Sequence, residues 1–530
     1  MSQIMTRMSP KYKQMAFETA IRNPERYKEI LSAVLQFEGK VLDDKTILTI
    51  ISSLYLNKVV SGGGLVINEN DTIDSIKNDV IRINATRKRD GGFPKGYPSR
   101  FWTYMRTLSE FGFVYARYGK KFLISDVAKK LINGTIDEQE AFSIQAMKYN
   151  RQSPYRNVLN DFNYFRFILK VLIELNKKGK KLSYWQFVVS TFSKDGNVKE
   201  FLDLIENNVF NDKISTYEFL KNKYENLASM DTVVKDYPDV ILRLLRITGF
   251  VSVEYRGIVM IGLNTNCEEY INNLLKYEFA LNEKEKEEDF SHYEKLSNLS
   301  DEEFEIIKSN REESNVIKNY NEVINQIISS YELDLKSIVE KIKEVCSSSG
   351  CSDNRFRYIP DPLKFEFFIA IFIHLVYGSE MIVKPNYKVD SNGMPISHAP
   401  GNVGDIEVYN NDLYWLIEVT LIRNKAQQLN NETINLFRHI SDREIDVKYL
   451  SLVAPTIHED TEDIYNVATI NQLVKKGYLN NFYSKPYKVD DFIHCSMDKS
   501  IFDNMEEHTI NLIKTFQEQL KKALGFIDLE

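Results

Sequence analysis

No run of apolar residues in this 530-residue chain reaches the roughly 20 needed to cross a bilayer. The longest candidate, Phe365 to Tyr377, is short and carries Glu366 and His374. Met1 to Lys13 has charge but no apolar stretch, which argues against a secretion signal. Cysteine is scarce. The four, at positions 267, 346, 351 and 495, lack zinc-type spacing, and Cys346 and Cys351 lie in a Ser-rich loop with no histidine pair nearby. These features imply a reduced, cytoplasmic setting with no membrane partner; a Cys346–Cys351 disulfide belongs to the alternative of an oxidising compartment. Triphosphate chemistry lacks its G-x-x-x-x-G-K-[ST] loop, because Ser61-Gly62-Gly63-Gly64 is not followed by Lys-Ser/Thr. No Ser or Cys nucleophile arrangement is visible either.

What is present is material for several cores. The length predicts two to four domains, and an apolar fraction of 43% is that of a globular protein. The 30 Tyr and 31 Phe could be core mass or base-stacking surface, and composition does not separate the two. A net charge of -7 seems to exclude a nucleic-acid partner, but its distribution reverses that. Glu283 to Glu313 holds twelve acidic and five basic residues, so the remainder is balanced. Arg82 to Lys121 holds ten basic residues against Asp90 and Glu110. A local basic patch, not the chain total, sets affinity for phosphates.

The first half contains a repeat. Ser99 to Ser125 and Pro238 to Leu263 each give an amphipathic helix ending in Gly-Phe-Val, an alternating strand, a turn at Gly119 or Gly257, and a second strand. Gly112 and Gly249 stand where a helix C-cap needs a left-handed residue. A helix followed by a two-stranded wing is the winged-helix arrangement. Such modules also serve protein contacts or plain packing, and Arg87, Lys88, Arg89, Lys95, Arg100 and Arg106 around the first one tilt the reading toward DNA. Asn160 to Phe192 gives a helix, a basic loop Lys177-Lys178-Gly179-Lys180-Lys181 and another helix, read as a related module with a shorter wing. Asn282 to Glu313 is a solvated helical stretch to which no chemistry is assigned. The expected division is 1–150 and 151–281 for two recognition regions, 282–350 for a helical acidic linker and 351–530 for a separate domain.

After Ser352 the chain reads helix, strand, strand, helix, strand. Asp361-Pro362 is a helix start, with an N-cap before Pro. The helix is apolar on most sides, so it should be buried, with Glu366, Ala370 and His374 along one edge. Glu366 is then either at a solvent-facing seam or a buried carboxylate that needs a partner or a metal. In Gly404 to Thr420, the turn Asn410-Asn411-Asp412 makes Ile406–Tyr409 and Leu413–Thr420 a hairpin. Counting back through the turn puts Asp405 within a residue or two of the position opposite Glu418. Two carboxylates that close repel unless a cation sits between them, and hard oxygen ligands suit Mg²⁺. Such an ion activates water and stabilises charge on a phosphodiester. An Asp and a Glu thirteen residues apart also occur in many hairpins by chance.

The arrangement resembles the PD-(D/E)xK nuclease fold, with Glu418-Val419-Thr420 in place of E-x-K. The run from Glu418 to Ile440, an E-V-T variant followed by a Gln-containing helix, a Glu and Arg-His, resembles AlwI-type restriction endonucleases, a type IIS family. Ile21-Arg22-Asn23-Pro24-Glu25-Arg26 and Lys235-Asp236-Tyr237-Pro238 are similar to that family as well. The resemblance implies a multidomain α+β protein: a mostly helical N-terminal half with winged-helix modules that bind double-stranded DNA, and a C-terminal α/β nuclease domain with a mixed sheet. It makes Asp405 and Glu418 metal ligands, Glu366 a third acid, and Glu432 and His439 candidates for orienting water or contacting phosphate. Thr420 occupies the lysine position without its charge, so Lys425, Arg438 or His439 replaces it, or the metal suffices. His439 reads equally as a helix-terminal histidine near a dipole.

The function this implies is a bacterial type IIS restriction endonuclease that reads an asymmetric site and cuts at a fixed distance. A single site cuts one strand; a double-strand break needs transient dimerisation of a monomer or a second subunit, and strand-specific nicking is an alternative. A DNA methyltransferase encoded nearby is expected, to protect the host. The other readings are a catalytically silent DNA-binding protein or recognition subunit, and a structure-directed nuclease such as a junction resolvase or repair enzyme.

Overall fold

The computed structural model describes residues 11–60, 65–68, 70–86, 97–225, 227–279, 289–313, 320–399, 403–423, 448–476 and 482–523. The contacts divide the chain into two compact units, Met1–Asn315 and Val316–Glu530. Helix and mixed sheet are both present, in line with an α+β protein.

The first unit is built on helices and aromatic packing. Phe17, Phe111, Phe113, Phe142, Tyr149 and Phe165 form a ring cluster, with centroids 5.4 Å apart for Phe111–Tyr149 and 5.2 Å for Phe113–Phe142. In this unit these aromatics are core mass. Helix Tyr97–Glu110 ends at Gly112, whose φ of 73° is left-handed and whose Cβ would fall 2.2 Å from Leu296 Cβ. Only glycine meets both demands. Strands β1 (Val114–Tyr115) and β2 (Leu123–Ile124) then pair antiparallel.

The second repeat keeps this order: helix Tyr237–Ile247, Gly249 at φ 75°, and an antiparallel hairpin of β4 (Val251–Tyr255) and β5 (Val259–Leu263). The third region is not a module of its own. Its basic loop leads into β3 (Leu182–Ser183), which pairs with β5 through Leu182↔Ile261 and gives the order β3-β5-β4. Helix Tyr164–Lys177, β3 and helix Tyr184–Ser190 are thus the other half of the second repeat. Spacing along the chain did not reveal this, because about fifty residues separate the halves.

Helix Tyr237–Ile247 buries nine of its eleven residues, including Asp239 and Arg246. The two family-like segments near it hold one another: Arg22 pairs with Asp236 at 2.7 Å and Asp239 at 3.6 Å, and Arg243 donates to Asn23 at 2.6 Å. The stretch expected as a linker over 282–350 is shared out. Helices Asp289–Ser297 and Asp301–Glu313 pack in the first unit, where buried Lys148 pairs with Glu303 at 2.8 Å. Helices Tyr320–Tyr331 and Leu335–Val345 pack in the second, where Asn321 bonds Met381 and Val383.

In the second unit, helix Asp361–Tyr377 is buried along most of its length. The span 361–380 is long and apolar enough by length and composition to cross a membrane, which 365–377 alone was not, and 72% of its most apolar window is buried inside the protein. Its cap residue is Pro360 rather than Asp361, which sits in the first turn and pairs with Lys364 at 2.8 Å. A five-stranded mixed sheet follows, in the order β12-β11-β10-β9-β6. Its strands are β6 (Ile382–Pro385), β9 (Ile406–Tyr409), β10 (Tyr414–Val419), β11 (Tyr449–Ala454) and β12 (Tyr483–Lys488). A separate small ladder joins β7 (Lys388–Val389) and β8 (Pro395–Ser397). The β6–β9–β10 part is antiparallel and β10–β11–β12 parallel. Leu416, Leu450 and Leu452 line one core with Tyr465 and Leu473. The indole N–H of Trp415 donates to Ser451 at 2.9 Å. The four cysteines are free thiols.

Candidate active site

The hairpin register sets the site. Tyr414 pairs with Tyr409 and Ile417 with Ile406, so the next position outward puts Asp405 opposite Glu418, inside the residue or two that counting through the turn left open. Gly404 lets the chain pass close: a Cβ there would lie 2.5 Å from Leu416 Cδ1 and 3.0 Å from Glu418 Oε1. Asn386 anchors the entry to β9, its N–H donating to Asp405 O at 2.9 Å and its side chain to Gly404 O at 2.7 Å. Asp405 Oδ2 accepts the Val419 N–H at 2.9 Å, which ties the acid to the neighbouring strand.

The electrostatics are those of crowded acids. Asp405 is half-buried, and its carboxyl is pushed well above the usual carboxylate range, first by loss of solvent around it and then by the charges of Glu418 and Glu366. A hydrogen bond between the Asp405 and Glu418 side chains adds to the effect, while the Val419 N–H opposes it. Glu366 comes from the buried helix and is 4% exposed, so it does not sit at a solvent seam. One of its oxygens contacts His398 Nδ1; the other, Oε2, is buried with no hydrogen-bond partner. His374 turns instead to Asn325 Oδ1 at 2.9 Å. Buried Tyr387 is pushed up by burial and by the Glu366 charge.

Three predicted acids are therefore brought together: Asp405, Glu418 and Glu366. Thr420, in the lysine position, is buried; its hydroxyl accepts the Ile422 N–H at 3.1 Å and its own N–H donates to Val453 O at 3.0 Å. Glu432, His439, Lys425 and Arg438 lie outside the described residues. So do Arg87, Lys88, Arg89 and Lys95. Arg100 is exposed on helix Tyr97–Glu110, while Arg106 pairs with Glu18 at 2.5 Å. Sequence reasoning missed His398 and Glu407. Glu407 is buried on the face that carries Asp405, with Asn386 donating to it at 3.0 Å and Lys384 3.5 Å away. The alternation of Asp405 and Glu407 along β9 could have signalled the second acid; nothing local marks His398.

The donor set fits a hard divalent cation. It consists of carboxylate oxygens, one of them an orphaned buried atom, in a place where acids repel. Among the described residues, however, no group of three or more His, Cys, Asp or Glu is already arranged to hold a metal ion.

The profile of the AlwI restriction endonuclease family matches residues 109–361 and 353–495. The Arg22–Arg26 segment lies outside that match. No curated protein matches. Among solved structures, the small subunit R.BspD6I2 of the heterodimeric restriction endonuclease R.BspD6I is 22% identical, over 36% of this chain and 96% of that one, with a TM-score of 0.26. The BpuJ1 endonuclease binding domain, solved with pyrene- and phenanthrene-modified DNA, is 14% identical over 52% of this chain and 91% of that one, with a TM-score of 0.31. At such scores the likeness in shape is slight. The family match spans most of the chain and takes in both Asp405 and Glu418: this protein belongs to the AlwI restriction endonuclease family and is a nuclease that acts on DNA.

Proposed function

We propose that the chain is a type IIS restriction endonuclease with a PD-(D/E)xK cleavage unit, which binds an asymmetric duplex site and hydrolyses a phosphodiester at a fixed distance with Mg²⁺. The observation that carries this is Asp405 facing Glu418 across the hairpin, within reach of the charge of Glu366. A bound Mg²⁺ would neutralise these acids and supply an activated water and charge stabilisation at phosphorus. Asp405, Glu418 and Glu366 would hold it. The Val419 N–H orients Asp405, and His398 orients Glu366. Thr420 brings no positive charge, so Lys425, Arg438 or His439 takes that role or the metal suffices, with Glu432 and His439 as candidates for orienting water or contacting phosphate.

In the first unit, both repeats follow a winged-helix order, and their surfaces suggest different duties. The helix of the second repeat is buried and serves as scaffold. Helix Tyr97–Glu110 exposes Arg100 and follows the basic run Arg87–Lys95, which suits it to the major groove. One catalytic site cuts one strand, so a double-strand break requires a second cleavage unit, and nicking follows without one.

Run-off sequencing of plasmid cleaved in Mg²⁺ tests all of this together. Cuts at one offset from one short motif, lost in Glu418→Ala with DNA binding retained, are expected; structure-dependent cuts would mean a different nuclease. A second reading, a catalytically silent DNA binder, is separated from the first by the same incubation. Specific binding without hydrolysis in every divalent metal tried would select it.

A further inference from the structure

The three strands that build the site carry little positive charge. Among the residues of β6, β9 and β10, Lys384 is the single lysine or arginine. The ladder register decides which way it faces. Lys384 pairs with Glu407, and Glu407 pairs with Leu416. Paired residues share a sheet face, and strand alternation adds Asp405 and Glu418 to the same face. Lys384 therefore projects from the edge strand on the side of both hairpin acids. Two residues of strand, about 6.8 Å, separate its level from that of Asp405.

Its neighbours lean it toward those acids. Glu407 is 6% exposed, and its Oε1 accepts the Asn386 amide at 3.0 Å. Asn386 stands one pleat repeat nearer the site, where it also donates to Gly404 O at 2.7 Å. The other oxygen of Glu407 lies 3.5 Å from Lys384 Nζ. That is long for a charge-assisted hydrogen bond, which runs at about 2.7–2.9 Å. An ammonium has three donors, and this side chain is 34% exposed. The lysine is thus held beside the acids by a buried carboxylate, with capacity left for a second anion. Charge balance says which anion. Glu366, Asp405, Glu407 and Glu418 crowd the proposed cleavage point, a divalent cation offsets at most two charges, and every phosphate of a DNA strand adds another.

We propose that Lys384 binds a phosphate of the DNA strand next to the one that is cut, with Glu407 and Asn386 as the positioning residues that aim it. The contact offsets the repulsion between the acids and the flanking backbone without reading a base. It rests on the nuclease reading of this site and adds a substrate contact from β6, a strand that holds none of the candidate residues.

Fluorescence anisotropy of the full chain in EDTA, on a labelled duplex containing the mapped site and its cut position, gives the first measurement. Each phosphate neutralised contributes about 0.9 to the slope of log K against log salt. Lys384→Gln should flatten that slope by about 0.9, and Lys384→Arg should keep it. The second measurement uses duplexes with one uncharged methylphosphonate placed in turn at each phosphate flanking the cut. With the parent chain, one of these should weaken binding and slow single-turnover cleavage in Mg²⁺ several-fold. Lys384→Gln should lose a similar factor on the natural duplex and nothing further on that one. A lysine that only braces the sheet would instead lose the same factor at every position. That result, or an unchanged salt slope, overturns the proposal; a thermal melt like that of the parent chain excludes misfolding. If the parent chain cuts no duplex, the nuclease reading falls and this contact with it. Cutting by the parent beside an unchanged slope in Lys384→Gln sinks the contact alone.

Discussion

Each unit withdraws a carboxylate from water, Glu110 fully and Asp405 in part, and the two meet opposite kinds of neighbour. Glu110 in the first unit meets the Arg156 guanidinium at 2.8 Å and is a closed ion pair inside the aromatic core. Asp405 in the second unit meets other acids. A buried carboxylate with a counter-ion holds a fold together; one among carboxylates is a standing strain that only a proton or a cation relieves. The first arrangement suits a structural role, and the second is the one the proposed chemistry uses.

The comparison breaks most sharply under mutation. Glu418→Ala should lower the rate of DNA cleavage on the order of 10³-fold or more, as loss of a catalytic group does. It should also raise the thermal midpoint of the metal-free protein, because it removes repulsion on Asp405; calorimetry in EDTA reads this, and a fall in the midpoint would count against the crowded-acid picture. Glu110→Ala should do the reverse, costing about 3–5 kcal/mol in denaturant unfolding by leaving Arg156 charged and unpaired.

A half-buried histidine sharpens the rule. His508 bonds Asn466 at 3.3 Å, and burial followed by the Lys485 charge pulls its pKa down to about 4. Like charges are here relieved by losing a proton. Because the folded value lies below the ordinary one near 6.5, the unfolded chain binds the proton first, and stability falls as pH drops from about 6.5 to about 4. His508→Gln should flatten that acid limb by of order 1 kcal/mol, since the site is partly open to solvent. The smallest effect belongs to Arg22→Ala. Its pair with Asp236 is half-exposed, so about 0.2–1 kcal/mol of stability should be lost with DNA affinity unchanged. A large loss of binding instead would move this segment from scaffold to interface.

Parts of the molecule were legible in the chain for identifiable reasons. Gly112 and Gly249 announced helix ends because a left-handed backbone strongly favours glycine. The hairpin register was readable because a turn signal and a two-residue pleat fix which side chains face each other, and so Asp405 opposite Glu418 followed by counting. The burial of helix Asp361–Tyr377 followed from its being apolar all round. Less was readable wherever a residue's meaning depended on a distant neighbour. The two helix–hairpin repeats look alike as strings, yet helix Tyr237–Ile247 is enclosed while helix Tyr97–Glu110 keeps an exposed arginine at Arg100. The third recognition region dissolved into the second for the same reason.

Sequence alone, then, determined the local geometry: where helices stop, how strands alternate, and which two acids share a hairpin end. Only tertiary packing decided that Glu366 turns inward with an oxygen left unpartnered, that His398 meets it, and that Gly39–Leu42 runs alongside the turn of the β1–β2 hairpin. The physical reason is range. Backbone sterics and side-chain periodicity act over a few residues, whereas burial and charge are set by whatever the fold brings alongside from far down the chain.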